Sequence, residues 1–546
     1  MPQQPDSSLR LDQMYTQAFQ EHWDLSVFTD YGGGTYTFGE VAERIESLKQ
    51  LMTEAGIQPG DKVALYARNS TNWAITFFAI MAHGAVIVPI LPDFTPENVH
   101  NILEHSESAM LFAEDSLYSK LDHSKLGNIR LIISTDDFRV LDDASNVAKN
   151  FDFSQTVSVH RNDFRFPKRD DEDLLILSYT SGSTGFSKGV MIPVRSIESN
   201  IIYAREHMPL KAGDRIVSFL PMAHLFGLAF EILFPVSLGC HITIVTKVPS
   251  PQILLNALGE VKPHLILMVP LVIEKVYKKR IVPSLKKPAI KTLLAIPGIR
   301  GLIFKKTRDK IVENFGGNFH EVVIGGAALS PEAESFFRKI KFPFTVGYGM
   351  TECGPLISYA PSDATKKGSS GKLVDRMEVR IDSKNPYKKV GEIQVKGRNV
   401  MLGYYKNVEA NAAAFTEDGW LKTGDLGIID KEDFIYIKGR DKNMLLGPSG
   451  QNIYPEALEA RLANFPLVQE CVIVQRENRL VGLVHPDMEA LGNNNLQTEQ
   501  LEELAEQTRK EFNEAVASYE KLSHIELTDE EFEKTPKKNI RRFLYG

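Results

Sequence analysis

Short runs of consecutive apolar residues alternate with stretches whose apolar positions recur every three to four residues. The first kind reads as buried strand and the second as one-sided helix. Strand candidates are Lys62–Tyr66, Met110–Ala113, Leu131–Ser134, Leu174–Leu177, Arg215–Leu220, His241–Val245 and Leu265–Val269. Helix candidates between them include Val41–Ala55, ended by Gly56, and Glu97–Ser106. This alternation predicts an α/β fold with parallel-rich sheets. Trp73–Leu91 is apolar for long enough to span a bilayer, but His83-Gly84 and Pro89 interrupt it. It reads as a buried helix (Trp73–Ala82), a glycine turn and a buried strand (Ala85–Ile90). The polar stretch Asp142–Asp173 reads as a surface connection.

The texture changes near residue 370. Val379–Ile381, Glu392–Val395, Leu426–Ile429 and Phe434–Ile437 are short strands separated by Gly and Asp turns, a β-rich subdomain over about 370–440. A new unit follows Arg440: helix Pro455–Ala463, strands Glu470–Val474 and Arg479–Val484, a polar helix Leu496–Ala515 and a charged tail. The expected division is a large N-terminal domain, 1–440, and a small α+β C-terminal domain, 441–546. A chain of 546 residues is too long for one core, which agrees. A net charge of −7 and a pI near 6.1 argue against general nucleic-acid binding. Three scattered cysteines without a C-x-x-C pair argue against a disulfide framework or structural zinc and fit a reducing, cytoplasmic setting. Met1–Met14 has neither the apolar core nor the basic start of a secretory signal.

The most informative stretch is Tyr179-Thr-Ser-Gly-Ser-Thr-Gly-Phe-Ser-Lys-Gly-Val190. A hydroxyl- and glycine-rich loop leaving a strand can aim several backbone N–H groups at one anion, and Lys188 adds a charge. A nucleotide polyphosphate is the ligand it suggests. The P-loop pattern counted from Gly182 fails twice, because Ser187 stands where glycine is required and Gly189 where a hydroxyl is required.

Further segments carry chemistry. Val346-Gly-Tyr-Gly-Met-Thr-Glu-Cys-Gly-Pro355 offers a stacking ring in Tyr348, a hydroxyl in Thr351 and a magnesium-suited carboxylate in Glu352. Asp425 lies in a Gly-Asp turn where a carboxylate can accept two ribose hydroxyls; alone, it is equally a hairpin aspartate. Arg440 is a fixed cation beside the expected domain break, and the tail Glu533–Arg542 is basic.

In this order and spacing the segments resemble the adenylate-forming (AMP-binding) superfamily of acyl-CoA synthetases, luciferases and nonribosomal adenylation domains. Leu220-Pro-Met-Ala-His-Leu-Phe226 and Ile324-Gly-Gly-Ala-Ala-Leu329 extend the resemblance. It implies ATP, Mg2+ and coenzyme A as co-substrate. Thr180, Ser181, Gly182, Ser183, Thr184, Gly185 and Lys188 would hold the triphosphate. Gly326, Ala327, Tyr348 and Gly349 would surround adenine, Thr351 would contact the α-phosphate, and Glu352 with Thr184 would serve the metal. Asp425 and Arg440 would bind ribose, and His224 would line the acyl pocket. Asp441 would be the hinge for a rotating C-terminal domain, with Gly450 beside the pantetheine path.

The usual tail of the superfamily is Pro-x-Gly-Lys-Ile. Here Pro536 is followed by Lys537, Lys538, Asn539 and Ile540, so Asn539 occupies the lysine position. Lys538 is expected to substitute. Val269–Tyr277 and Ser449–Pro455 are most similar to long-chain fatty acyl-CoA synthetases. The alternatives are an acyl-AMP ligase loading an acyl carrier protein and a non-catalytic nucleotide- or acyl-binding regulator. Residues 275–310 hold twelve Lys/Arg against one acid, Asp309, interleaved with apolar residues; such a face would meet anionic membrane lipid or simply be solvated.

Overall fold

In the computed structural model, the described residues are 9–144, 148, 157–180, 188–247, 250–294, 296, 299–446, 451–477, 479–488, 491, 498–535 and 540–546. Two large sheets carry the N-terminal part. In one, Leu174–Thr180, Val86–Ile90, Lys62–Tyr66, Ser108–Ala113 and Leu131–Ser134 run parallel, flanked by antiparallel strands at both edges. In the other, Phe344–Val346, Glu321–Ile324, Leu265–Met268, Arg215–Ser218, His241–Ile244 and Ser26–Asp30 are all parallel, and Thr35–Thr37 closes the edge antiparallel. Every residue of Val86–Ile90, Leu265–Met268 and Leu131–Ser134 is buried, as a strand covered on both faces requires.

Local chemistry sets the helix ends. Ser70 accepts from the Trp73 amide to start helix Thr71–His83, and Gly84, at φ +88°, stops it. Strand Val86–Ile90 follows. The long apolar stretch is thus helix, turn and strand. No helix among the described residues is long and apolar enough to cross a membrane. Thr37 and Glu40 form a reciprocal cap at the start of helix Phe38–Glu54.

The expectation of a mere surface connection over 142–173 needs correction. Phe164 and Phe166 are buried and join Tyr15, Phe19 and Phe78 in one aromatic cluster. The segment is polar in composition, but two phenylalanines tie it to the core.

Past residue 370, Met377–Asp382, Gly391–Gly397, Leu421–Ile429 and Ile435–Arg440 form a four-stranded antiparallel sheet. Strands Val468–Arg476, Arg479–Pro486 and Leu522–Leu527 make a separate three-stranded sheet. Its buried clusters, centred on Leu462, Ile473 and Phe512 and on Val472 and Phe532, draw on residues from Ile453 onward. Polar contacts link this part to the rest: Asn464 donates to Glu332 (2.7 Å) and meets Ser330 (3.3 Å).

Candidate functional site

Strands Glu321–Ile324 and Phe344–Val346 are parallel neighbours, with Ile324 opposite Val346. Their C-terminal ends therefore release Gly325–Ala327 and Gly347–Tyr348 side by side, where open α/β sheets bind ligands. Gly326 (φ +86°) and Ala327 are exposed, while Tyr348 is buried. Gly349 is obligatory, since a Cβ there would stand 2.2 Å from the Pro355 carbonyl. Gly325 lies against the Phe226 ring, which a Cβ would meet at 2.9 Å.

The Tyr348 hydroxyl donates to Asp425 Oδ2 (2.7 Å), and Arg440 Nε donates to Oδ1 (3.1 Å). Asp425 and Arg440 are direct partners across antiparallel strands, and a β-bulge makes them so. Between Ile429↔Ile435 and Gly427↔Ile437 the pairing is regular. One extra residue, Lys438, then shifts the register, and the next pairs are Leu426↔Gly439 and Asp425↔Arg440. Without the bulge Asp425 would face Gly439. Bulges beside functional sites re-aim side chains in this manner. Burial pushes the Asp425 carboxyl above the ordinary aspartate range, against the pull of Arg440 and Tyr348.

The second group of residues starts at the mouth of a hairpin. Strands Leu174–Thr180 and Lys188–Pro193 pair antiparallel, with Thr180 opposite Lys188. Ser181, Gly182, Ser183, Thr184 and Gly185, between those two ends, lie outside the described residues. Lys188 Nζ sits 4.8 Å from the centre of the Tyr404 ring, a cation–π contact. The Tyr404 hydroxyl donates to Glu352 Oε1 (2.9 Å). Tyr404 is placed by strand Gly403–Tyr404, which pairs with Lys188–Pro193, and the Met401 amide donates to the Glu352 carbonyl (2.8 Å). Burial, then the neighbouring Glu352, drives the Tyr404 phenol strongly up, so it stays a proton donor. Thr351, buried, shares the 3-10 turn Thr351–Cys353 with Glu352. Tyr404 takes one oxygen of a half-buried carboxylate, and the second is without a hydrogen-bond partner among the described residues, a hard donor suited to magnesium.

His224 is half-buried and caps the short helix Leu225–Gly227; its Nδ1 accepts from the Phe226 amide (3.3 Å), so the neutral ring carries its proton on Nε2. The loop leading to it is clamped twice. Asn69 donates to the Leu220 carbonyl (2.7 Å) and accepts from the Met222 amide (2.9 Å). Glu231, fully buried in the π-helix Leu228–Leu233, accepts on Oε2 from Ser218 Oγ (3.0 Å) and the Phe219 and Leu220 amides (3.1 and 3.0 Å). Burial raises its pKa well above the glutamate range, against the pull of these three donors.

Two clusters of the expected residues thus come together: Tyr348 with Asp425 and Arg440, and Lys188 with Glu352. His224 connects to the first through Phe226 and Gly325. Asp441 is exposed and opens the 3-10 turn Asp441–Asn443 directly after Arg440. Gly450, Lys538 and Asn539 lie outside the described residues. Tyr404, Asn69 and Glu231 were not anticipated. The sequence signal for Glu231 is an acid inside the apolar run Leu228–Val236; for Tyr404 it is only a Gly-Tyr-Tyr triplet.

The chain is similar to several known proteins. A long-chain-fatty-acid–CoA ligase of Mycobacterium bovis is 30% identical over 487 residues, covering 83% of this chain and 78% of its own. A 4-coumarate–CoA ligase of Arabidopsis thaliana is 30% identical over 470 residues, covering 82% and 76%. Among solved structures, an o-succinylbenzoate CoA synthetase from Bacillus subtilis in complex with its acyl-adenylate intermediate superposes with a TM-score of 0.75 at 20% identity, covering 98% of each chain. ATP-bound MatB from Rhodopseudomonas palustris gives 0.75 at 19% identity, again over 98% of each. The family model described as AMP-binding enzyme matches residues 15–405, and the chain belongs to that family.

Proposed function

We propose that the chain is an AMP-forming acid–CoA ligase whose acid is a fatty acid, long-chain in preference. In the first step the carboxylate attacks the α-phosphorus of ATP, the bond to pyrophosphate breaks, and an acyl-adenylate forms. In the second, the thiol of coenzyme A attacks the acyl carbon, AMP leaves, and the thiol proton passes to solvent. The obstacle in the first step is charge: an anion approaches a phosphorus ringed by anionic oxygens. The remedy is fixed positive potential around the phosphates. The observation that carries the reading is the chain Lys188–Tyr404–Glu352 standing beside a hairpin rich in hydroxyls and glycine.

Within this reading Asp425 accepts the ribose hydroxyls, with Tyr348 and Arg440 holding its two oxygens in place. Gly326, Ala327 and Gly349 let the base approach the backbone. Thr180, Ser181, Gly182, Ser183, Thr184, Gly185 and Lys188 hold the triphosphate, and Thr351 meets the α-phosphate. Glu352 and Thr184 are the residues that would hold Mg2+, whose chemistry is to neutralise phosphate charge. Lys188 Nζ moves from the Tyr404 ring to a phosphate oxygen, exchanging a cation–π contact for an ion pair. His224 orients the acid. Residues 1–440 and 441–546 act as two units with Asp441 between them, Gly450 lines the coenzyme A path, and Lys538 rather than Asn539 supplies the tail cation.

The fatty-acid preference rests on similarity to long-chain-fatty-acid–CoA ligases, and similarity of the same order to 4-coumarate–CoA ligases sets the test. The experiment is pyrophosphate release from ATP with a panel of fatty and aryl acids, with and without coenzyme A. Release with fatty acids plus a thioester product is expected. Release without transfer to coenzyme A points to a carrier protein as acceptor, and release with aryl acids alone overturns the fatty-acid assignment. For the tail, Lys538→Ala is expected to slow adenylate formation. If that variant is unchanged while Asn539→Ala is inactive, the assignment is wrong.

A further inference from the structure

Parallel strands Leu265–Met268 and Glu321–Ile324 are neighbours, and one helix would suffice to connect them. The chain instead makes a long helical excursion. Pro270–Val276, the π-helix Tyr277–Ile281, Val282–Lys286, Pro288–Leu294 and Ile299–Asn314 follow one another. Ile273, Ile281 and Ile311 anchor its two ends in the core, but no described residue from 282 to 310 is buried. Helix Pro288–Leu294 packs mainly on its two neighbours within the excursion. So much helix with so little burial is not accounted for by the core.

Its surface is unusual in two respects at once. Leu271, Leu293, Ile296 and Leu302 are exposed, Leu302 by 68%. Leu293 and Leu302 flank the turn between the last two helices, and Ile296 lies in it, its amide bonded to the Leu293 carbonyl. Cations surround them: Lys287, Arg300, Lys305 and Lys306 are exposed and have no ion pair among the described residues. On the last helix Leu302, Lys305 and Lys306 stand at i, i+3 and i+4 and share a face. Asp309, the lone acid of 275–310, is bonded to Arg308 (2.9 Å). All this sits on a chain whose net charge is −7.

We infer that this helical excursion is a docking surface for an anionic lipid bilayer. Its cations meet acidic headgroups, and Leu293, Ile296 and Leu302 enter the headgroup–acyl boundary. The net charge of the whole chain is negative, so a basic excursion would also orient the molecule on such a surface. The apolar residues among the cations select bilayer over nucleic acid. A single-strand binder pairs its cations with exposed aromatic rings for stacking, and the aromatics here, Tyr277 and Phe304, are half-buried in contacts with Phe336. The inference goes beyond the proposed reaction and does not depend on which acid is activated.

The test is co-sedimentation of the full chain with vesicles, without ATP or acid. Two compositions are compared: phosphatidylcholine alone, and phosphatidylcholine with about one-third phosphatidylserine. The expected result is recovery on the anionic vesicles only, declining with added salt. The triple variant Arg300→Glu, Lys305→Glu, Lys306→Glu is expected to bind about tenfold or more weakly. Leu302→Ser with Leu293→Ser is expected to weaken binding while leaving its salt dependence. Pyrophosphate release and the thermal melting point, unchanged in these variants, show that the fold survives. Equal recovery on both compositions, full binding by the charge-reversed variant, or displacement from the vesicles by single-stranded RNA overturns the proposal.

Discussion

The two ends of the candidate site are built in opposite ways. At the end proposed for the nucleoside, Asp425 is buried and both its oxygens are already held, by Tyr348 and by Arg440. At the end proposed for the phosphates, Lys188 and Glu352 have opposite charges yet make no ion pair with each other; the Tyr404 ring stands between them. A preformed ion pair would have to break before either group could serve a phosphate or a metal ion. The tyrosine keeps both in place and leaves both available. In the proposed function the first end recognises and the second accepts charge. The two should therefore fail differently when damaged.

Glu352→Gln is expected to have the largest effect. It keeps the shape but removes a negative donor from the phosphate end, so kcat should fall by about 10²–10³ with a small change in KM for ATP. Steady-state pyrophosphate release measures both, and a change confined to KM would erase the contrast. Asp425→Ala should do the reverse: KM for ATP rises by roughly 10- to 100-fold, the worth of losing charged hydrogen bonds, and kcat is largely kept. The same carboxyl predicts a pH dependence. Its folded pKa is raised, and only the ionised form accepts two hydroxyls. ATP affinity should weaken as pH falls, beginning above the pH at which an ordinary aspartate protonates, near 3.9. Asp425→Asn should abolish that acid limb in a profile of kcat/KM, and an unchanged profile would assign it elsewhere.

Tyr404→Phe sharpens the comparison further. It keeps the ring beneath Lys188 but removes the hydrogen bond to Glu352, and a drop of roughly tenfold in kcat is expected. Tyr348→Phe should be mildest, a few-fold rise in KM, since Arg440 still holds the other oxygen. If Tyr348→Phe proved worse than Tyr404→Phe, the nucleoside end would be the less redundant of the two.

Much of this was legible in the chain. Uninterrupted apolar runs gave away the parallel strands, because a strand covered on both faces has no polar side to display. The glycines at 326 and 349 and the charged residues near them pointed to the site, since close backbone approach and buried charge leave few substitutes. Tyr404 was not legible. Its role depends on a two-residue strand, Gly403–Tyr404, pairing more than two hundred positions away with Val190 and Met191. Phe164 and Phe166 were hidden by their charged surroundings, where composition outweighs two buried rings. Glu231 left a clear trace, a carboxyl within a wholly apolar run. Its meaning became apparent only with the three donors converging on it.

The bulge at Lys438 separates chain length from pairing, because the ladder carries one residue that neither Asp425 nor Arg440 needs to meet the other. Lys438 is exposed, and replacing it with alanine changes nothing that touches Asp425. Deleting it removes the extra residue, and regular pairing from Gly427↔Ile437 then brings Gly439 opposite Leu426 and Arg440 opposite Asp425, as before. A codon on the solvent side is therefore dispensable to the Asp425–Arg440 pairing, whether its residue is replaced by alanine or lost.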